Sequence, residues 1–113
     1  MSTRLSIFEV LQSTGIPAAY SHFTTDQDPP FIVYLGGGQV QFKADNELYK
    51  KQNIYQVEYY FKTKDEEAEA EIEQALTDAS FFYEKSEDEY ISDQDIHVIY
   101  YDVFRKGFYN GKE

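Results

Sequence analysis

The spacing of apolar residues predicts two helices and a series of strands. Near the start of the chain Leu5, Phe8 and Leu11, with Ile7 beside them, recur three apart on one side of a helix. Ser2 or Thr3 can cap it and Gly15-Ile16-Pro17 stops it, so a helix is expected over about residues 3–14. Ala18 to Phe23 follows as a short extended segment, ended by the polar run Thr24 to Asp28 and by Pro29-Pro30, which allow neither helix nor inner strand. Phe31 to Leu35 is the continuous apolar run of a buried strand, and Gly36-Gly37-Gly38 is expected to end it in a sharp or mobile reversal. Lys43-Ala44-Asp45-Asn46 interrupts the return at Gln39 to Phe42, so residues 36–52 are expected to form a flexible loop.

From about Gln52 the pattern changes to strict alternation. Tyr55, Val57, Tyr59 and Phe61 share one side and Gln56, Glu58, Tyr60 and Lys62 the other, the period of a half-buried antiparallel strand. Thr63 with Glu66 forms a candidate capping box for a second helix, where Ala68, Ile72, Ala75, Leu76 and Ala79 draw an apolar stripe. Glu66, Glu67, Glu69, Glu71 and Glu73 are assigned to its outer side. Phe81 to Lys85 and Ile96 to Phe104 then form a hairpin around the acidic tract Glu87-Asp88-Glu89. The expected fold is one α+β domain over residues 1–113, a two-layer sandwich in which an antiparallel sheet carries both helices on one face. Its order is helix, three to four strands, helix, β-hairpin, with a flexible C-terminal tail at 105–113.

At 113 residues the chain supports one core. Zero Cys excludes disulfides and thiolate metal sites. No run of about 20 apolar residues and no secretory leader is evident, so a soluble, intracellular protein that keeps its N-terminus is expected, without a membrane partner. The net charge of −11 argues against broad nucleic-acid binding, since phosphate contacts need Lys and Arg and only ten exist. The acid is local. Residues 65–95 hold thirteen acids against the single base Lys85, a net of −12, while the remainder, eight acids against nine bases, sums to +1.

The chemistry-bearing residues point away from catalysis. Only His22 and His97 are available as bases, with no Cys nucleophile, and the acids Glu87, Asp88, Glu89, Asp93 and Asp95 cluster at a turn, where solvated carboxylates are the rule. Asp93-Gln94-Asp95 begins like a calcium loop but fails at Ile96 and His97, and no Lys-Ser/Thr follows the glycine triplet as a phosphate loop requires. The Lys50, Lys51, Lys62, Lys64 and Tyr49, Tyr55, Tyr59 interleaving is a weak single-strand-binding pattern without arginines. No enzyme activity, metal or cofactor is expected. What stands out is 11 Tyr and 9 Phe in so small a chain, more large rings than a thin sandwich buries, which points to contact with other chains.

The pattern resembles the tail completion, or tail terminator, proteins of long-tailed bacteriophages and prophages of Gram-positive bacteria. The features that carry the resemblance begin with the short first helix ending in Gly15-Ile16-Pro17 and the strand Pro30-Phe31-Ile32-Val33-Tyr34-Leu35-Gly36. Asp45-Asn46, the strand Tyr55 to Tyr60, the acidic helix Glu66 to Leu76 and the closing Tyr100-Tyr101-Asp102-Val103 continue it. The resemblance implies a structural virion protein made in the host cytoplasm. It would form a homohexameric ring that caps the head-proximal end of the tail tube and joins it to the connector and neck proteins of the head. Genomic DNA would pass through the lumen without specific binding. The interface residues expected for such a ring are Tyr34, Gly36, Gly37, Gly38, Tyr49, Tyr59, Tyr101, Phe108 and Tyr109. Two rivals remain: an acidic DNA mimic that inhibits a host nucleic-acid-binding protein, with the 65–95 acids in place of phosphates, and a small enzyme or ligand-binding domain of the same class.

Overall fold

The structure, a computed structural model, describes residues 5–43 and 49–105. The first helix, α1 (Ile7–Gln12), is shorter than its apolar spacing predicts. Ser6 and Glu9 form a complete capping box, each side chain accepting the other's backbone N–H at 3.2 and 2.8 Å, so the helix starts there. The hydroxyls of Ser13 and Thr14 donate to the Val10 and Leu11 carbonyls, and Gly15, at φ +82°, turns the chain away. Ile7, Val10 and Leu11 are the buried face, and Leu5 remains 46% exposed.

The strands are β1 (Ala18–Tyr20), β2 (Phe31–Lys43), β3 (Tyr49–Phe61), β4 (Phe81–Lys85), β5 (Glu89–Ile91) and β6 (Ile96–Arg105), with α2 (Glu66–Asp78) between β3 and β4. They form one six-stranded sheet in the order β1-β2-β3-β6-β4, with β5 also pairing β6. The expected antiparallel sandwich of three to four strands plus a hairpin is therefore wrong: the protein is mostly β and its sheet is mixed. The cause lies at residues 18–34. Ala18 to Tyr20 pairs in parallel with Ile32 to Tyr34, pinned by the Ile32 N–H donating to Pro17 at 2.8 Å and the Ser21 N–H to Tyr34 at 2.9 Å. The second half also differs from a simple hairpin. Strands β3 and β4 both run antiparallel to β6, which lies between them, so β3-α2-β4 is a split crossover that lays α2 across the sheet.

The glycine triplet is a bend rather than an end. Gly36 pairs with Tyr55 and Gln39 with Asn53, so Gly37 and Gly38 together face Ile54 as a β-bulge. Gly38 adopts φ +99°, and a Cβ on Gly37 would sit 3.1 Å from the Ile54 methyl, so the bulge demands glycine twice. Pairing resumes and runs to Lys43 opposite Tyr49, so residues 36–43 and 49–52 of the expected loop are strand, while 44–48 lie outside the described residues. Of the expected tail, Arg105 ends β6 and 106–113 lie outside them.

The main core lies on the face that carries the helices, while Val33, Ile96 and Val98 are buried on the other. Ile7, Val10 and Leu11 of α1, Ile72 and Leu76 of α2, and the inward residues Ile32, Val57, Tyr59, Phe61, Phe81, Ile99, Tyr101 and Val103 pack together. Arg105 closes one end. Its guanidinium lies 4.2 Å from the Phe81 ring centroid and donates to the Leu5 carbonyl at 2.8 Å.

Candidate functional site

Three regions gather chemistry-bearing side chains. The first lies between α2 and the sheet. Asp65, rather than Thr63, caps α2 by accepting the N–H groups of Glu67 and Ala68. Glu69 and Glu73, expected on the solvent side, face the sheet instead, and Glu69 is only 3% exposed. Lys85 holds both, at 2.9 Å from Glu69 and 2.7 Å from Glu73. Lys64 stands 2.8 Å from the other Glu69 oxygen, an ion contact whose angle falls short of a hydrogen bond, and 3.0 Å from Asp88. Tyr101 donates to Glu73 at 2.8 Å. Burial works to raise the Glu73 carboxyl, but the hydrogen bonds from Lys85 and Tyr101 outweigh it and hold the group below the usual glutamate value. Burial and the bond to Glu73 push the Tyr101 phenol far up. Lys85 lies in the middle of this network and fastens α2 to β4. The network satisfies its own charges, so it is a clasp rather than a reaction centre.

The histidines stand apart. His22 is exposed and shares a 3.2 Å contact with Ser21, whereas His97 stacks on Phe61 at 5.3 Å and on Tyr90 at 5.0 Å. The Ser21 hydroxyl beside His22 is exposed, and among the described residues no hydrogen bond joins an acid to that ring. Among the described residues no group of three or more His, Asp and Glu side chains is arranged to hold a metal ion, and no helix is long and apolar enough to cross a membrane.

The third region is the sheet face that carries no helix. The segment 21–28 lies over one half of it. There Phe23 meets Phe31 edge-on at 5.5 Å, Phe31 stacks on Tyr60 at 5.0 Å, and a groove of about 310 Å³ runs between Phe23, Val33, Tyr60 and Ile91. The other half is built of cross-strand rows fixed by register. One row is Ile54, Phe104 and Phe82, with the Phe82 and Phe104 rings 5.7 Å apart and Phe82 48% exposed. The next is Gln56, Asp102 and Glu84. Beyond it lie Glu58 and Tyr100, with Glu89 on β5. Glu58 accepts the Tyr60 hydroxyl at 2.8 Å. Burial, helped by the charges of Glu89 and Glu58, pushes the Tyr100 phenol above its ordinary value, which places both acids around that ring. None of Glu58, Glu84, Glu89 and Asp102 pairs with a Lys or Arg among the described residues.

At the edge of that face the β2–β3 ribbon leaves the sheet. Pairing of β3 with β6 begins at Ile54, while pairing with β2 continues to Tyr49. Among the described residues, 39–43 and 49–53 pair as strands only with each other, a two-stranded arm roughly 15–20 Å long at the usual rise per residue. The molecule is correspondingly elongated, 52 × 31 × 27 Å. In sequence, residues 39–53 hold the bases Lys43, Lys50 and Lys51 and the acids Asp45 and Glu47.

The residues expected at an interface are scattered by this geometry. Tyr59 and Tyr101, 1% and 0% exposed, belong to the monomer core, because the side of β3 and β6 they occupy is the one the helices cover. Tyr34 is half-buried beside Phe8 and Tyr20. Gly36, Gly37 and Gly38 lie at the root of the arm, and Tyr49 is the first residue of its returning strand. Phe108 and Tyr109 lie outside the described residues. The reading of the chain missed Phe82, Phe104 and Ile54, and the available signal was the parity of Phe82 and Phe104, opposite to that of Phe81 and Val103. Compared with known proteins, the chain matches no family model and no curated sequence.

Proposed function

We propose that this protein is a structural assembly protein of the tail-terminator kind. Copies of it form a ring, six by the resemblance, that caps the head-proximal end of a phage or prophage tail tube and joins it to the neck of the head. The observation that carries the reading is the presence, on one small domain, of the β2–β3 ribbon and of a partly apolar sheet face that no helix covers among the described residues. A closed ring needs two different patches per subunit, and the ribbon and the sheet face with Phe82 and Phe104 are two such patches. Catalysis plays no part in this function; the virion is its destination and the tube and neck proteins are its partners. The test is the mass in solution together with tube capping. A salt-tolerant hexamer that arrests elongation of purified tail-tube protein supports the reading, and a monomer with no effect on tube growth overturns it.

A second reading is favoured by one observation, the four carboxylates on that face that have no Lys or Arg partner among the described residues. An acidic DNA mimic would use Glu58, Glu84, Glu89 and Asp102 in place of phosphates. It requires a monomer or dimer that binds a basic host protein with an affinity falling steeply in salt. It ranks second because a mimic has no use for the apolar row Ile54, Phe104 and Phe82 or for a lysine-bearing arm.

A further inference from the structure

We infer that the groove beneath residues 21–28 is a receptor site for an arginine side chain carried on another protein chain, with the Phe31 and Tyr60 rings as its aromatic wall and the Glu58 carboxylate as its acceptor. The site lies on the other half of the face from Phe82 and stands whether or not copies of this protein form a ring.

Strand register builds the floor. Phe31 stands opposite Tyr60 and Val33 opposite Glu58, while Val98 and Tyr100 continue the same two rows on β6. Val33 and Val98 are 7% and 0% exposed, so this part of the floor is packed and fixed. The roof comes from the end of β1. Ser21 adopts φ +68° while its N–H donates to the Tyr34 carbonyl at 2.9 Å, and the segment that follows lies over the sheet with Phe23 edge-on to Phe31 at 5.5 Å. The space between them, about 310 Å³, is at the small end of ligand sites and suits one side chain rather than a large molecule.

Charge, rings and shape select the occupant. Glu58 and Asp26 line the groove, the exposed His22 ring is its one basic group, and no Lys or Arg lines it among the described residues. Glu58 accepts the Tyr60 hydroxyl at 2.8 Å and makes no ion pair among the described residues. Burial, then that hydrogen bond, push the Tyr60 phenol far above its ordinary value, so it stays a donor to a charged Glu58. Lys62, two residues along β3 on the same side, is already held by Asp95 at 3.2 Å, and Glu89 adds a further acid beyond Val98 in the Tyr60 row. The groove therefore draws a cation. Its rings narrow the choice. Phe31 and Tyr60 stack at 5.0 Å with 23° between their planes, and aromatic faces attract cations. A guanidinium is flat and weakly hydrated, lies on such faces and donates in a fork to a carboxylate, whereas an ammonium is compact and strongly hydrated. Free arginine would bring its own carboxylate beside Glu58 and Asp26, and a side chain in peptide linkage does not.

The experiment titrates the isotope-labelled full chain with the blocked peptide acetyl-Gly-Arg-Gly-amide, and with the same peptide carrying lysine or citrulline in place of arginine, and reads amide chemical shifts. The arginine peptide is expected to shift the amides of residues 21–28 and 58–60 with a dissociation constant on the order of 1 mM. The lysine peptide is expected to bind about threefold more weakly, and citrulline, which keeps the shape and lacks the charge, not to bind. Glu58→Gln keeps an acceptor for Tyr60 and is expected to weaken the arginine peptide about tenfold, while Glu87→Gln, an exposed acid that does not line the groove, leaves it unchanged. Circular dichroism and urea unfolding check that each variant folds; Asp26→Asn on the exposed segment, with about a twofold loss expected, replaces Glu58→Gln if that variant does not. No shift in these amides at about 10 mM peptide, shifts confined to the Glu84 and Asp102 row, or equal binding of the citrulline peptide overturns the site. Equal binding of the lysine peptide overturns the choice of arginine, and tighter binding of free arginine than of the blocked peptide overturns the partner chain.

Discussion

The two faces of this sheet use the same residue types to opposite ends. On the covered face, tyrosines and glutamates are spent on the monomer: Tyr101 is wholly buried and donates to Glu73, and Glu69 and Glu73 share Lys85. On the other face Tyr100, Glu58, Glu84 and Asp102 are set out in rows beside Phe82 and Phe104, and the three acids have no Lys or Arg partner among the described residues. Both faces come from the same strands, since Tyr100 and Tyr101 are neighbours in sequence. The difference is one of parity and of what crosses above, so a residue's role here is decided by which side of β6 it occupies. That contrast separates substitutions that unfold the protein from those that alter how it meets other chains.

The sharpest way to break the comparison is Tyr101→Ala. It removes a ring from the centre of the core and leaves Glu73 without a donor, so it is expected to cost about 3–5 kcal/mol in urea unfolding, as large-to-small core changes do. A loss below about 1 kcal/mol would place Tyr101 outside the cooperative core. The next effect is smaller. Lys85→Ala leaves Glu69 buried with Lys64 alone; breaking a fully buried pair costs about 3–5 kcal/mol, but Lys85 and Lys64 are 34% and 43% exposed, so solvent screening brings the expectation to about 2 kcal/mol.

These two cases also mark what the chain made legible. The alternation of Tyr55 to Phe61 and the stripe Ala68, Ile72, Ala75, Leu76 showed a half-buried strand and an amphipathic helix, because burial on one side imposes a period that can be counted. The mixed sheet was not legible, because three residues, Ala18 to Tyr20, carry too short a pattern to announce a parallel partner that is fixed by contacts from Pro17 and Tyr34. The glycine triplet was misplaced as a reversal because a bulge and a turn ask for the same freedom at φ > 0. Glu69 and Glu73 were set on the solvent side by their charge alone, although Glu69 stands three residues before Ile72 and seven before Leu76, on the buried stripe. The lone base in the acidic tract, Lys85, was their counterpart. Tyr59 and Tyr101 were given to an interface because aromatic excess says that some rings face outward without saying which.

Acid provides the third test. The Glu73 carboxyl is held below its ordinary value of 4.5 by Lys85 and Tyr101, against its burial. A carboxyl lowered in the folded state contributes stability that is fully present above its unfolded value and is lost as pH falls through the folded one. Stability is therefore expected to decline below about pH 4.5 and to do so less steeply in Glu73→Gln, read from urea midpoints between pH 6 and pH 3. An unchanged slope in that variant would assign the acid sensitivity to other carboxylates.

The smallest effect has the opposite sign, which is what makes it informative. Glu84 faces Asp102 across β4 and β6, two exposed carboxylates directly opposed. Like charges at such a site destabilise a sheet by a few tenths of a kcal/mol, so Glu84→Gln is expected to raise the stability of the monomer by roughly 0.2–0.5 kcal/mol at low salt, with the gain fading as salt screens the pair. If that face meets another chain, as the assembly reading requires, the same substitution removes one of its acids, so assembly is expected to change as the monomer grows firmer. Retaining a repulsive pair in the folded subunit makes physical sense where both charges are neutralised on contact with a partner. If Glu84→Gln instead leaves the oligomer unchanged while stabilising the subunit, the acidic row takes no part in contact between chains and its repulsion is a plain cost to the fold.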